Sequence, residues 1–347
     1  MKPMQEAILQ EIHMRGEEIR QHPIHTLYFG GGTPSLWPVE DLDEIIHTIE
    51  QYTSLDSLKE VTLESNPDDL TSQYLADLHL YSKINRLSVG IQSFDDKDLR
   101  MMNRAHNSKE AHGALHQIFE TGFEEVTIDL IFGLPGLDLQ KWEQQLKTAL
   151  QYPIGHISCY NLSIENKTAL RHQIEKGTLT LPEDSQIADQ YHLGHDILEG
   201  AGFIHYEISN YGKRGKMAIH NTSYWKNEPY IGIGPSAHSY DLYRRRWNIP
   251  NNAKYIRALK NEEVFWEEEV LDEQDQYNEY LLTGLRTMWG VHDDRISQFS
   301  DELRSAFYGQ LKAEQKKKNI RTINGSHILT RQGQVLADQI ISNFFYV

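Results

Sequence analysis

Short apolar runs alternate with helix-like stretches through the first 200 or so residues of the chain. Each run is followed by glycine or by polar residues, and the runs lie at 25–29, 61–63, 86–89, 126–128, 130–132 and 156–160. Repeated strand–loop–helix units of this kind are typical of a parallel sheet or barrel, so the pattern predicts an α/β fold. In such folds ligands bind where the strands end, and the polar residues that follow the runs are therefore site candidates.

The pattern divides the chain into three parts. It opens with an amphipathic helix predicted at 3–21, and the βα units extend to residue 211, where residues 205–211 alternate like a strand. Residues 212–270, rich in Gly, Asn, Tyr and Trp, are predicted to be an irregular segment that contains the last strand. Residues 271–347 are predicted to form a small helical, winged-helix-like domain, from their order of two helices, a short strand and a helix.

Composition and charge argue against some classes of function for this protein. The chain has 347 residues, of which 39% are hydrophobic and 24% charged, and 34 basic against 50 acidic residues give a net charge of −16. This balance argues against a general nucleic-acid binder, whose affinity depends on neutralising phosphates. The sequence shows no bilayer-spanning run and no secretory h-region, so a cytoplasmic location is predicted.

The chain has one cysteine, Cys159, in an alternating strand-like run. A single thiol forms no internal disulfide and cannot hold an iron–sulfur cluster or structural zinc by cysteines alone. A buried, inert thiol is the expected state, because free cysteine is among the most buried residue types.

A glycine-rich loop, Gly30–Ser35, follows the first strand-like run. Three glycines in succession let the backbone approach a ligand closely, with N–H and C=O groups unobstructed by side chains. The same residues would also suit an ordinary tight βα turn. The lack of a following Gly-Lys-Ser/Thr excludes a Walker A loop.

Three polar side chains, Glu64, Gln92 and Asp129, follow separate strand-like runs. If the strand ends meet at one barrel mouth, two carboxylates and an amide are suited to an amine and a ribose diol. Arg104, one helix further on, is suited to pairing with a carboxylate. The alternative is that polar residues here cap the following helices. The residues best placed to do so are Asn66, Asp69 and Asp95.

The segment His220–Trp225 places a histidine among aromatic residues. Histidine ligates haem iron, and aromatic side chains pack on a porphyrin face. A histidine that merely forms hydrogen bonds in a loop is the alternative. A second glycine-rich segment, Gly232–Ser239, carries His238 as another candidate donor.

Together these motifs resemble the oxygen-independent coproporphyrinogen oxidase family of radical S-adenosylmethionine (SAM) proteins. The motifs are GGGTPS (30–35), ESNP (64–67), GIQSF (90–94), NR (103–104), DLIFGLP (129–135) and GIGPSAHS (232–239). Within that family, HNTSYW at 220–225 is similar to the HNxxYW motif of HemW-type haem chaperones, and LTRQGQVLAD at 329–338 also resembles them. The motifs occur in order over essentially the whole chain.

The resemblance implies a partial (β/α)6-type barrel and a SAM site. The glycine loop and Glu64 would hold the methionine amine, Arg104 its carboxylate, and Gln92 with Asp129 the ribose. Ser163 would lie near the adenine. The residues implied for SAM are Gly31, Gly32, Thr33, Glu64, Gln92, Arg104, Asp129 and Ser163.

The resemblance also implies haem as a ligand, which family members hand to respiratory acceptor proteins. His220 is the candidate ligand of the haem iron. The residues assigned to haem are His220, Asn221, Tyr224, Trp225 and His238.

The chain departs from the family in one respect. Family members carry a CxxxCxxC loop after the first strand that binds a [4Fe–4S] cluster, and neither that loop nor that strand is found here. Two explanations remain: this sequence is a truncated form of a longer protein, or it is a natural relative without a cluster. Truncation is favoured, because the SAM-contacting residues persist and a barrel without its first strand exposes an unpaired edge.

Two further functions are compatible with the resemblance. One is oxidative decarboxylation of coproporphyrinogen, which needs the cluster to donate an electron to the sulfonium and is therefore disfavoured for this chain. The other is a non-catalytic interaction module that keeps the fold.

Overall fold

The computed structural model describes residues 2–164, 169–177 and 179–347, which form two compact units. We call residues 26–40 and 60–218 the sheet unit. Residues 1–25, 41–59 and 219–347, which include both chain ends, are called the terminal unit.

The elements are numbered in chain order. The helices are α1 (Lys2–Met14), α2 (Gly16–Arg20), α3 (Val39–Glu50), α4 (Ser72–Tyr81), α5 (Asp96–Met101), α6 (Ser108–Thr121), α7 (Leu139–Ala149), α8 (Ala169–Glu175), α9 (Asp184–Gly200), α10 (Ile219–Trp225), α11 (Asn252–Lys260), α12 (Glu273–Gly284), α13 (Asp293–Ile296), α14 (Asp301–Lys316), α15 (Arg331–Val335) and α16 (Ala337–Phe344). The strands are β1 (Thr26–Phe29), β2 (Glu60–Ser65), β3 (Arg86–Gln92), β4 (Glu125–Phe132), β5 (His156–Asn161), β6 (Phe203–Glu207), β7 (Asn210–Lys213), β8 (His238–Tyr240), β9 (Arg244–Asn248), β10 (Trp266–Val270), β11 (Val291–His292), β12 (Ile320–Ile323) and β13 (Ser326–Leu329).

The sheet unit contains a seven-stranded sheet with the order β1-β2-β3-β4-β5-β7-β6. Strands β1 to β5 are parallel to their neighbours, β7 is antiparallel to β5, and β6 is antiparallel to β7. The predicted α/β fold with a mostly parallel sheet is therefore confirmed. The carboxyl ends of β1 to β5 lie along one edge, where a ligand site is expected.

Two strand predictions need correction. The runs 126–128 and 130–132 belong to one continuous strand, β4, so Asp129 lies within a strand and not after one. The run 205–211 forms parts of two strands, because β6 turns back into β7 as a hairpin.

The helices of the sheet unit begin and end at residues with clear local reasons. Asn107 and Glu110 form a capping box at the start of α6, and Gly122, at a φ of 101°, ends that helix in the left-handed region. Helix α7 packs against α9, where the indole N–H of buried Trp142 donates to the Gln190 carbonyl at 2.9 Å.

In the terminal unit α1 packs against α11. The buried residues of this contact are Ala7, Tyr255, Ala258, Leu259 and Phe265. Two three-stranded antiparallel sheets follow, with the orders β10-β9-β8 and β11-β13-β12. The prediction of an irregular segment at 212–270 is wrong, because α10, β8, β9, α11 and β10 all lie within it.

Residues 271–347 contain the helices predicted there, with α14 and α16 packed through Phe307 and Phe344, whose ring centroids are 5.5 Å apart. The structure adds β11 and β12, which pair with β13. In the part of the chain that the structure describes, no helix combines the length and the apolar character that crossing a bilayer requires.

Candidate binding sites in the two units

Glu64 connects the ends of β1 and β2 in the sheet unit. One of its carboxylate oxygens accepts the Tyr28 hydroxyl at 2.6 Å and the other accepts the Gly31 backbone N–H at 3.1 Å. A Cβ atom at Gly30 would lie 2.5 Å from the Tyr28 ring and 3.0 Å from the Glu64 carboxyl carbon. Only glycine fits at that position, so the loop is built around this carboxylate.

The rest of the predicted glycine loop is open. Gly31 adopts a φ of 93°, a conformation that L side chains rarely adopt, and Gly32 is exposed. Thr33 precedes a short 3₁₀ helix at Pro34–Leu36 and makes no side-chain capping bond. The loop therefore presents backbone groups that no side chain obstructs at Gly31 and Gly32.

Gln92, Arg104 and Asn66 converge above Gly90. The Arg104 guanidinium donates to the Asn66 side-chain oxygen at 2.8 Å and to the Gly90 carbonyl at 3.4 Å. A Cβ atom at Gly90 would lie 2.9 Å from Gln92 Nε2 and 3.1 Å from Arg104 Nη2. Gln92 ends β3 at a φ of 64°, where the register with β4 shifts. A left-handed glutamine at a strand end is the kind of strain that occurs at functional sites.

Asp129 lies beside Ser158 of β5 and within electrostatic range of Glu64 and Arg104. Desolvation raises the pKa of its carboxyl group to about 6, and the negative charge of Glu64 raises this pKa further. The hydrogen bond from Ser158 and the positive charge of Arg104 act in the opposite direction and lower it. Four of the predicted SAM residues, Glu64, Gln92, Arg104 and Asp129, are thus brought to one end of the sheet. Ser163 is exposed just after β5, which ends at Asn161.

The capping alternative fails for Asn66 and holds for Asp95. Asn66 precedes a 3₁₀ helix without capping it and binds Arg104, whereas Asp95 accepts the Lys97 N–H at 2.7 Å as the cap of α5. The role of Tyr28 was not predictable, because its position within an apolar strand gives no signal. Asp69 accepts the Ser35 hydroxyl at 2.6 Å, which ties the glycine loop to the end of β2.

A second cluster lies in the terminal unit. His220 and Tyr224 stand one turn apart on α10, a helix and not the predicted irregular loop. The Tyr224 hydroxyl lies 3.0 Å from His220 Nε2, and the two rings meet edge to face with centroids 4.9 Å apart. His220 is partly buried, and the desolvation of its imidazole lowers the pKa to about 4, so it is neutral at neutral pH.

Aromatic rings continue from this pair toward β8. Tyr224 meets Tyr230 edge to face at 4.6 Å, and Tyr230 pairs with Tyr240 through two backbone hydrogen bonds of 2.9 Å. His238 is exposed at the start of β8 and lies beside Trp247, with ring centroids 6.3 Å apart. Asn221 and Trp225 are partly buried on α10.

The donor sets decide which cofactors these residues fit. Carboxylates, an amide and a guanidinium suit the amine, diol and carboxylate of SAM. A neutral imidazole among aromatic rings suits haem. Cys159 is buried in β5 and burial raises the pKa of its thiol, so the residues of this chain do not supply cysteine ligands for a [4Fe–4S] cluster. No group of three or more metal-ligating side chains occurs within the described ranges.

A family model for the radical SAM superfamily matches residues 1–149. The curated "Heme chaperone HemW" of Bacillus subtilis is 33% identical over 97% of this chain and 90% of its own length, and that of Lactococcus lactis is 33% identical over 83% and 75%. The solved structure of the Escherichia coli coproporphyrinogen III oxidase HemN, a radical SAM enzyme, superposes with a TM-score of 0.83 at 20% identity, over 99% of this chain and 82% of that chain.

The family model and the fold are those of the radical SAM class. The TM-score to HemN concerns the fold alone at this level of identity. The relatives that share a third of the sequence over most of both chains settle the family. The chain belongs to the HemW family of haem chaperones.

Proposed function

We propose that this chain binds haem on α10 of the terminal unit, with His220 as a ligand of the iron. The observation that carries the proposal is a neutral imidazole on a surface helix, in contact with tyrosine rings, in a protein of a haem-chaperone family. We assign Asn221, Tyr224, Trp225 and His238 to the surroundings of the haem. Respiratory proteins that accept the haem are the proposed partners.

SAM is the proposed ligand of the sheet unit. Glu64 and the loop at Gly31–Thr33 would receive its amine, Arg104 its carboxylate, Gln92 and Asp129 its ribose hydroxyls, and Ser163 its adenine. When bound, SAM brings a sulfonium group that can be cleaved reductively. In this chain the residues at the strand ends bind and orient it, and the likeness of fold to HemN is no argument for oxidase activity.

The finer architecture is also proposed. The sheet corresponds to a (β/α)6-type barrel without its first strand, and residues 271–347 to a winged-helix-like domain. The proposed division is a barrel at 1–211, a segment with the HNxxYW motif at 212–270 and a C-terminal domain at 271–347. A [4Fe–4S] cluster is a property of the radical SAM family, and the single cysteine of this chain cannot hold one by cysteines alone.

Replacing His220 by alanine tests the haem assignment. We expect saturable one-to-one binding of haem by the native chain under anaerobic conditions, with a Soret band that shifts or disappears in His220→Ala. The affinity should fall about tenfold or more, because the variant loses an iron–nitrogen bond, and tenfold corresponds to about 1.4 kcal/mol.

Two companion variants sharpen this experiment. His47→Ala, at a mostly exposed histidine of the same unit, should bind haem like the native chain. His238→Ala shows whether the second histidine also reaches the iron. If a folded His220→Ala variant keeps the native spectrum and affinity, the proposed ligand is wrong.

Asp129 gives a prediction of opposite effects on stability and on SAM binding. Its folded pKa of about 6 exceeds the ordinary 3.8, so its contribution to stability is fully present below pH 3.8 and is lost as the pH rises through 6. Asp129→Asn should therefore stabilise the sheet unit at pH 7.5 by about 3 kcal/mol, with no gain at pH 3.5, as measured by urea unfolding.

The same variant should bind SAM more weakly, by about tenfold, because an uncharged amide accepts hydrogen bonds from ribose hydroxyls less strongly than a carboxylate does. Isothermal titration at pH 7.5 measures the loss. Asp138→Asn, which affects a surface helix cap, is the control and should leave SAM binding unchanged. A gain in stability without any loss of SAM affinity would contradict the ribose assignment.

A further inference from the structure

The Tyr224 hydroxyl is hydrogen-bonded to the nitrogen through which His220 would bind iron. The two residues lie on one face of α10, four positions apart, and the tyrosine hydroxyl is 3.0 Å from His220 Nε2. In one tautomer the hydroxyl donates to the Nε2 lone pair, and in the other Nε2 carries the proton and donates to the phenol oxygen. In both cases Nε2 has no lone pair left for a metal, so the hydrogen bond and an iron–Nε2 bond exclude each other.

The tyrosine is held in this position but is free to leave it. Its ring packs edge to face against Tyr230, which is fixed by backbone hydrogen bonds to Tyr240. Tyr224 is 40% exposed, and α10 has no buried residue. A rotation of the side chain toward solvent therefore releases Nε2 without opening the hydrophobic core.

We propose that Tyr224 is a gate for iron ligation by His220. Its hydroxyl holds Nε2 in the haem-free protein, yields it when haem arrives, and takes it back when haem leaves. This inference rests on the proposed role of His220 in haem binding. A protein that hands its ligand to another must release it, and an internal competitor for the iron-binding nitrogen lowers the affinity and favours release.

The gate has a consequence that is measurable without haem. Tyr224→Phe keeps the ring packing and removes only the hydroxyl, so Nε2 of His220 becomes accessible to an electrophile. We expect diethyl pyrocarbonate to acylate His220 faster in this variant than in the native chain. Mass spectrometry of the peptide that contains residue 220 measures the rate of acylation. Tyr243→Phe removes a hydroxyl from an exposed tyrosine of the same unit and should leave the rate unchanged. Equal rates in Tyr224→Phe and the native chain would overturn the gate.

Haem titration provides the second arm. Ferric haem should bind Tyr224→Phe about two- to tenfold more tightly than the native chain and dissociate more slowly, as expected for the loss of one competing hydrogen bond. The difference should vanish when His220→Ala is present in both proteins. Weaker binding together with loss of a tyrosinate–iron charge-transfer band would make Tyr224 the ligand itself and overturn the gate.

The remaining outcomes separate the two proposals. If native binding depends on His220 but Tyr224→Phe leaves the affinity unchanged, the gate is wrong and the haem assignment stands. If native binding does not depend on His220, both are wrong.

Discussion

Replacing Arg86 by methionine is expected to destabilise the sheet unit by about 3–5 kcal/mol. Arg86 begins β3, and its guanidinium is 3% exposed. It lies 3.7 Å from the Glu60 carboxylate and 3.5 Å from the Glu125 carboxylate, and it donates to the Thr127 hydroxyl at 2.9 Å. The substitution removes the cation that offsets the burial of Glu60, and a buried charge deprived of its counter-ion is strongly destabilising.

Urea unfolding, with hydrogen exchange of peptides from β2 and β4, measures this loss. Arg171→Met breaks an exposed ion pair with Glu175 on α8 and should change the free energy of unfolding by no more than about 0.5 kcal/mol. In the double variant Arg86→Met/Glu60→Gln both charges are removed, so much of the loss should be recovered. A single variant as stable as the native chain would mean that the Arg86 cation is not needed inside the sheet.

The ion cluster of Arg86, Glu60 and Glu125 also bears on the proposed SAM site. Side chains at alternate positions of a strand share a face, so Glu60 and Glu64 of β2 lie on one face, as do Glu125 and Asp129 of β4. The ions at the start of the strands and the proposed SAM residues near their ends thus belong to one polar face of the sheet. Disordering of that face by Arg86→Met would be expected to weaken SAM binding as well.

The parallel strands were predictable because each is a short apolar run with an abrupt polar end. The hairpin of β6 and β7 was not, because the turn at 208–209 keeps the alternation of apolar and polar residues and reads as one strand. Helix α10 was not predictable either. Its Asn, Thr, Ser and aromatic residues have low helix propensity, and a seven-residue helix depends on its tertiary surroundings.

The candidate SAM site was predictable in part, because the parallel strands that carry its residues were predictable. Strand order brings Glu64, Gln92 and Asp129 to one edge whatever the details of packing. Tyr28 was not predicted, and Asn66 was considered only as a helix cap, because their contacts with Glu64 and Arg104 join residues 36 and 38 positions apart. A sequence pattern reports neighbours along a strand or helix and not such partners.

The motif Gly232–Ser239 shows the same limit in the terminal unit. The sequence marks it as a second glycine-rich segment that carries His238 as a candidate donor. In the structure its backbone contacts the interior, since Arg15 donates to the Gly232 carbonyl at 2.7 Å and to the Ser239 hydroxyl at 3.1 Å. A Cβ atom at Gly232 would lie 2.0 Å from the His238 carbonyl oxygen, so glycine is required there. Of this motif, His238 is the proposed haem-site residue, and the others position β8.

Replacing Glu11 by alanine is expected to destabilise the terminal unit by about 3–5 kcal/mol. Glu11 is on α1, its side chain is fully buried, and its carboxylate lies 3.7 Å from the Arg15 guanidinium. It accepts the Gly234 N–H and the Asn248 amide, both at 2.8 Å, and also the Tyr255 hydroxyl. Alanine would leave these buried donors without their common acceptor and Arg15 without this counter-ion, and each lost partner adds a desolvation penalty.

Hydrogen exchange of the peptides that contain residues 232–239 and 244–248 measures the loss of stability near Glu11. Urea unfolding measures it for the terminal unit. Glu17→Ala removes an exposed glutamate that pairs with Arg20 on α2. Its free energy of unfolding should stay within about 0.5 kcal/mol of that of the native chain. Glu11→Gln keeps one acceptor oxygen, so its free energy of unfolding should lie between those of Glu11→Ala and Glu17→Ala. Because Glu11 anchors the segment that leads to His238, the alanine variant should also expose β8 to exchange. Unchanged protection there, with a loss of stability below 1 kcal/mol, would show that α1 does not hold the motif in place.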